Sequence, residues 1–387
     1  MKKNRDHYNV DDLFTFAVEV LKSKGYSEKS AEATAYALLE ADKRGIFSHG
    51  IAGGTGLEEA VRRTGTTATV IPDAEPIILK QKYPSILVID ANGAPGHIVS
   101  MIATNQVKGI ARKQGLAKVF VNNANHFGAA GVWSSKIAED YDLVGVVTCT
   151  TAACVRPMGD DPKGLDYTRG AGKEVRTGTN PLAISVPYEG GILTLDMALT
   201  RMAISYCIKA LKAGEMLEIP EYIADKNYKS TLNPRDLFGA KGVKGSLFPL
   251  GSTLSGYKGD AQLRMIEVTH SLGGGPIRRV SEEGTGVKRR ISLVFEAQAI
   301  DFLYTKKEAR KRVKDLMTDY ENYFGSASRW PGDRSNKALE YALKEGVPYS
   351  QGQIETLRRI ATYVGLDFDK MVQSLGKKPY PVEIFNK

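Results

Sequence analysis

Residues Ala117 to Gly128 read AKVFVNNANHFG: a short β-branched run ending at Asn122, then a polar turn that carries Asn123, Asn125 and His126. A strand that opens into such a turn, ahead of the helical stretch Ala129 to Glu139, is one half of an α/β unit. The same alternation extends in both directions. Upstream lie SILVID (Ser85 to Asp90) and a helix near Ile98 to Lys113, and downstream the apolar run Leu143 to Thr150. Leu182 to Val186, Gly191 to Leu195 and RISLVFEA (Arg290 to Ala297) read as further strands, and Arg201 to Lys212 reads as a helix stopped by Gly214. The centre of the chain is therefore expected to be a sheet backed by helices.

The two ends differ from this centre. Leu13, Phe14, Phe16, Ala17, Val20 and Leu21 recur at helical spacing with Gly25 as a stop, and Ser27 is placed to cap a second helix that runs to about Lys43. Thr-rich sequence and Pro72 break the helical pattern between Thr64 and Glu75, which sets a boundary there. After about Thr305 the chain is helical again, interrupted at Trp330-Pro331-Gly332. Asp160 to Thr177 is polar and Gly-rich, as expected of a long loop.

Composition excludes several classes. The chain has 387 residues, with 53 Lys and Arg against 44 Asp and Glu, but the bases are scattered among acids and KKEARKRVK (Lys306 to Lys314) has the pattern of a solvated helix face. Nucleic-acid binding is not expected. Cys149, Cys154 and Cys207 lack C-x-x-C spacing, which argues against a disulfide framework or a metal site. No apolar run reaches the ~18 residues that span a membrane, and the polar start MKKNRDHYNVDD lacks a signal-peptide core. A cytoplasmic protein is the expectation.

Several polar clusters could carry chemistry. ADKRGIFSHG (Ala41 to Gly50) ends a helical pattern in a turn that leaves the His49 imidazole at a loop, where it can titrate and meet a ligand, or be incidental. His126 stands before a helix, where it either caps that helix or touches a ligand. Gly178-Thr179-Asn180-Pro181 has short side chains that permit close backbone approach, or is merely a turn. Asp196 follows a buried run and either orients a histidine or caps the next helix. Lys258, between glycines, either neutralises a phosphate or is solvated. There is no G-x-G-x-x-G fingerprint, and GSTLSGYK has Tyr257 where a phosphate loop needs Lys.

In this order the clusters resemble the malate/L-lactate dehydrogenase type 2 family of NAD(P)-dependent 2-oxo acid and imino acid reductases, which includes ureidoglycolate, sulfolactate and diketogulonate enzymes. The matching segments are ADKRGIFSHG, NNANHFGAAG, GTNPLAISVP, LDMAL, PLGSTLSGYKG and SRWPGDR. The resemblance implies a non-Rossmann α/β fold: a mostly helical domain from residues 1–75 and 306–387, a central cofactor-binding domain from 76–305, and a homodimer. It implies NADH or NADPH as cofactor and a small-molecule substrate. His49 would supply the proton, with Ser48 beside it, Asp196 assisting and His126 lining the pocket. Gly178, Thr179, Asn180, Pro181, Lys258, Gly332 and Asp333 would contact the dinucleotide, and Arg44 would serve the substrate.

Four positions depart from the family pattern. Gly53 and Leu57 replace the family's carboxylate-binding Arg and a Tyr, Tyr257 replaces the His of G-H-K-G, and Tyr206 replaces the Lys of A-x-G-K. The Asp160 to Thr177 stretch is also longer and more charged than the family leads one to expect. These changes imply an altered substrate pocket served by Arg62, Arg63 or that loop, or alternatively an inactive member acting as a binding or scaffold protein.

Overall fold

A computed structural model describes residues 4–64, 69–158, 174–239, 242–276, 291–325 and 329–385. The strand β1 (Asn4–Tyr8) starts the chain and pairs antiparallel with two C-terminal strands, Val347–Tyr349 and Ser374–Pro379. Helices α1 (Val10–Lys22) and α2 (Glu28–Lys43) follow, each begun by a side chain that accepts from the first turn's amides: Asn9 for α1 and Ser27 for α2. The short α3 (Leu57–Arg62) buries Leu57 and Val61. Leu13, Phe16, Leu38, Leu57, Leu357 and Phe368 share one core, so the two chain ends pack as one body. Phe16 meets Phe368 edge-on at 5.1 Å.

The centre is a seven-stranded sheet. Its strands are β2 (Ile77–Tyr83), β3 (Ile86–Asp90), β4 (Leu116–Ala124), β5 (Leu143–Cys149), β6 (Leu182–Tyr188), β7 (Gly191–Met197) and Ile291–Ala299. In space the last of these lies between β4 and β5, antiparallel to both, and only β3 and β4 run parallel. Helices α4 (Gly96–Gln114) and α5 (Ala130–Ala138) lie against this sheet. The alternating burial of β5, with every second residue inward, is what a half-covered strand requires. Trp133 on α5 is fully buried and donates its indole N–H to Phe127 O at 2.7 Å, which fixes the β4–α5 turn against the sheet. Truncating so large a core side chain costs about 3–5 kcal/mol in general.

A third cluster joins Cys154, Leu199, Leu217, Leu237 and Leu263 around α6 (Ile204–Ala213) and α7 (Ser252–Leu272). Beyond it come α8 (Lys306–Phe324), α9 (Asp333–Glu345) and α10 (Gln351–Tyr363). α8 opens with a capping box from Thr305 and Glu308, and it packs on β6 of the central sheet. Its first residues, Lys306, Lys307 and Glu308, are solvent-exposed. Among the described residues no helix is long and apolar enough to cross a membrane.

Candidate active site

The turn that carries His49 is built on a buried carboxylate. α2 ends at Arg44, Gly45 turns the chain at φ 70°, and a single 3-10 turn spans Phe47–His49. Asp42 Oδ2, fully enclosed beneath this turn, accepts from Ile51 N at 2.7 Å and from the Tyr349 hydroxyl at 2.5 Å. Burial outweighs those two hydrogen bonds and lifts the Asp42 carboxyl to about 7. A Cβ on Gly50 would lie 1.7 Å from Asp42 Oδ1, so only glycine lets the turn rest on that carboxylate. Ser48 Oγ lies 2.9 Å from His49 Nδ1 and fixes the ring's orientation.

His126 is delivered from the other side by the turn between β4 and α5. Its ring stacks on His49 with centroids 5.5 Å apart and planes inclined by 19°. It does not cap α5, whose N-cap is Ala129; instead Gly128 N donates to His126 Nδ1 at 3.3 Å. Desolvation, with the fields of His49, Arg63 and His97, holds the His126 pKa well below the usual histidine range. His126 is therefore a neutral imidazole near pH 7. His97, in the first turn of α4, is buried beside Gly128 and lowered to about 3, chiefly by desolvation.

Asp196 stands near the end of β7 and lines the same cavity. A Cβ on Gly131 would come within 2.7 Å of its Oδ2, so that glycine admits the carboxylate to the first turn of α5, whose dipole favours negative charge. It is not the cap of α6, which is Ala203.

The Gly178 to Pro181 turn is organised by Thr151, a residue just past β5 that the sequence motifs did not single out. Thr151 Oγ1 accepts from Thr179 N at 2.7 Å, Asn180 Oδ1 accepts from Thr151 N at 2.9 Å, and a Cβ on Gly178 would meet Thr151 Oγ1 at 1.9 Å. Asn180 also reaches Glu267 Oε1 on α7 at 3.1 Å. Thr179 and Pro181 line the cavity, whereas Gly178 and Asn180 hold the turn behind it. Lys258 is not brought here: Gly256-Tyr257-Lys258-Gly259 lies within α7 instead of at a strand end, and Lys258 is exposed. Gly332, at φ 97°, starts α9, and Asp333 Oδ2 accepts from Trp330 N at 2.7 Å; both residues line the far end of the cavity. Ser328 and residues 160–173 of the long loop lie outside the described residues.

The cavity measures about 1020 Å³, at the upper end of the ~300–1,000 Å³ usual for small-molecule sites. Arg44, Arg62, Arg63 and Tyr206 also line it. Among the described residues four buried donors of its lining have no hydrogen-bond partner: Arg44 Nε, Ser205 Oγ, Trp330 Nε1 and Arg334 Nη1. Orphaned donors are costly unless a ligand satisfies them, so this wall suits a large ligand rich in acceptors, as a nicotinamide dinucleotide is.

An α/β sheet with a large cleft lined by two histidines, a carboxylate and several orphaned donors fits an enzyme of the non-Rossmann α/β type. The chain belongs to the malate/L-lactate dehydrogenase family, whose model matches residues 8–358. It is an NAD(P)-dependent dehydrogenase. It is 28% identical over 359 residues to the malate/(S)-sulfolactate dehydrogenase of Methanothermus fervidus, covering 90% of this chain and 96% of the relative. It is 32% identical over 355 residues to the L-sulfolactate dehydrogenase of Methanothermobacter thermautotrophicus, covering 91% and 95%. The solved sulfolactate dehydrogenase of Methanocaldococcus jannaschii shares the fold with a TM-score of 0.74 at 23% identity, covering 94% of this chain and 99% of that one. The names of further relatives specify NAD(+) or NADP(+).

Proposed function

We propose that the protein moves a hydride between nicotinamide and the C2 carbon of a 2-hydroxy acid, its 2-oxo counterpart or a related imine. The observation that carries this is the His49 and His126 stack, seated with Asp196 in one donor-lined cavity. The cofactor, when bound, supplies and receives the hydride. Thr179, Pro181, Gly332 and Asp333, with the orphaned donors of Ser205, Trp330 and Arg334, are the groups suited to hold it.

His49, oriented by Ser48, exchanges the proton that accompanies each hydride: it donates to the developing oxyanion or amide nitrogen in reduction and accepts from the hydroxyl in oxidation. Neutral His126 stacks on the His49 ring and adds no second charge to the pocket. Asp196 supports the protonated form of His49 across the cavity. Asp42 and Tyr349 keep the His49 turn in place.

The substrate end is altered relative to the family resemblance. A Cβ on Gly53 would lie 2.4 Å from Phe47 O and 2.7 Å from Ser48 O, and Leu57 is fully buried in the helical core. Neither position can offer a side chain to a substrate without the turn moving. Malate or pyruvate handled through position 53 is therefore not expected, and a bulkier or differently anchored acid is. A screen of 2-oxo acids and cyclic imines with NADH and NADPH tests this: turnover of pyruvate or oxaloacetate at ordinary efficiency contradicts the altered pocket, and turnover confined to larger substrates supports it. The proposed working form is a cytoplasmic homodimer; the exposed apolar side chains Ile77, Ile78 and Leu79 of β2 favour a partner copy, and light scattering checks it.

A further inference from the structure

We infer that Arg63 anchors the acid group of the substrate, in place of the side chain that position 53 lacks. The inference rests on the dehydrogenase function proposed above and adds the residue that holds the oxyanion of a carboxylate-bearing substrate.

Three features meet at Arg63. It caps the C-terminus of α3, a helix pinned by the buried Leu57 and Val61, so its backbone is fixed beside the His49 turn while its side chain lines the cavity. Arg63 gives Nε to Glu59 Oε1 at 2.7 Å, and among the described residues its two Nη groups make no hydrogen bond. The neighbouring Arg62 spends both Nε and Nη2 on the same Glu59, at 2.8 and 2.7 Å, and is the more exposed of the two, at 64% against 30% for the side chain. A guanidinium with free Nη groups is the geometry that binds a carboxylate through parallel hydrogen bonds.

Beside desolvation, the fields that depress His126 come from His49, Arg63 and His97, and those that depress His97 from Arg63 and His49, which puts the guanidinium near both rings. An oxyanion lodged between Arg63 and the histidines would relieve that repulsion and bring the adjacent C2 carbon towards His49. The tight packing of the loop explains why the task moves to Arg63. Gly53 and Gly56 both press on backbone carbonyls, with Cβ positions 2.4 Å from Phe47 O and 2.2 Å from Gly50 O, so the closed turn excludes a clamp from within itself.

The test uses oxalate, a planar carboxylate mimic of a 2-oxo acid, titrated into the full-length protein saturated with NADH or NADPH and followed by nicotinamide fluorescence. Expected are at least a tenfold loss of oxalate affinity in Arg63→Met, a smaller loss in Arg63→Lys, less than twofold change in Arg62→Met, and the same cofactor affinity throughout. Equal losses in the two methionine variants, or none in Arg63→Met, overturn the inference. Cofactor binding by the unaltered protein without oxalate binding overturns it while leaving the dehydrogenase function standing, whereas failure to bind either cofactor overturns both.

Discussion

The Tyr349 hydroxyl donates a 2.5 Å hydrogen bond to Asp42 Oδ2 from 307 residues further along the chain, directly beneath the turn that carries His49. Through this contact the C-terminal strand Val347–Tyr349 and the N-terminal helix α2 jointly hold the candidate proton donor. Removing the hydroxyl in Tyr349→Phe leaves a buried carboxylate with one donor fewer, a loss of about 1–3 kcal/mol. The expected outcome is a lower Tm by calorimetry and a fall in kcat, with cofactor Kd unchanged because the dinucleotide wall is elsewhere.

The same carboxylate sets a pH trend. Its folded-state value, about 7, lies above the unfolded value, so its stabilising contribution is complete below the unfolded value and disappears as pH rises through about 7. Asp42→Asn, which keeps the shape without the charge, is expected to be more stable relative to the parent at pH 8 than at pH 5. Urea melts at the two pH values measure this difference, and an unchanged difference contradicts it.

His97 acts in the opposite sense. Desolvation, its main cause, lowers its folded value to about 3, so its contribution is present above the unfolded value of 6.5 and is lost as pH falls towards 3. Between pH 6.5 and 4 this one group accounts for a loss on the order of 3 kcal/mol, at roughly 1.36 kcal/mol per pH unit. His97→Leu removes the titration, and its stability, read from urea melts across that range, is expected to fall less steeply than the parent's.

Gly178→Ala tests the scaffold behind the cofactor wall. The added methyl meets Thr151 Oγ1, so the substitution is expected to destabilise the turn by at least ~1 kcal/mol, in the range of overpacked cores, and to weaken cofactor binding. Thr151→Ser leaves the hydroxyl in place and is not expected to rescue it, whereas Thr151→Ala in the same chain removes the closest contact but leaves Thr151 C and O 2.6 Å from the added methyl, and recovers only a small part of the stability. Thermal melts of the single and double variants separate these outcomes.

Much of the sheet and its covering helices was legible because period-2 and period-3.6 patterns are local. SILVID, AKVFVN and the run after Leu143 form strands, and Ser27 caps α2 as its side-chain chemistry requires. The order of strands was not legible, since nothing local tells Ile291–Ala299 to enter between β4 and β5. Gly256 to Gly259 reads as a polar cluster at a strand end, yet it lies inside α7, where Gly259 packs closely on Leu250 O and Gly256 on Pro249. In the candidate site, His49, His126 and Asp196 were found as polar residues at element ends. Asp42, Thr151, His97 and Tyr349 escaped notice because their importance lies in contacts across distant segments, and the signal for Asp42, an acid followed by glycine at 45 and 50, points only weakly to a carboxylate under a turn.

The central claim is that this cleft binds a nicotinamide dinucleotide and that His49 exchanges the proton. Titration of the purified protein and of His49→Ala with NADH and NADPH, following nicotinamide fluorescence and then turnover with an accepted substrate, tests it most directly. The account predicts micromolar binding of one cofactor by both proteins and a loss of about 10²–10⁴ in kcat for His49→Ala. Failure of the parent protein to bind either cofactor, or full turnover by His49→Ala, would contradict it.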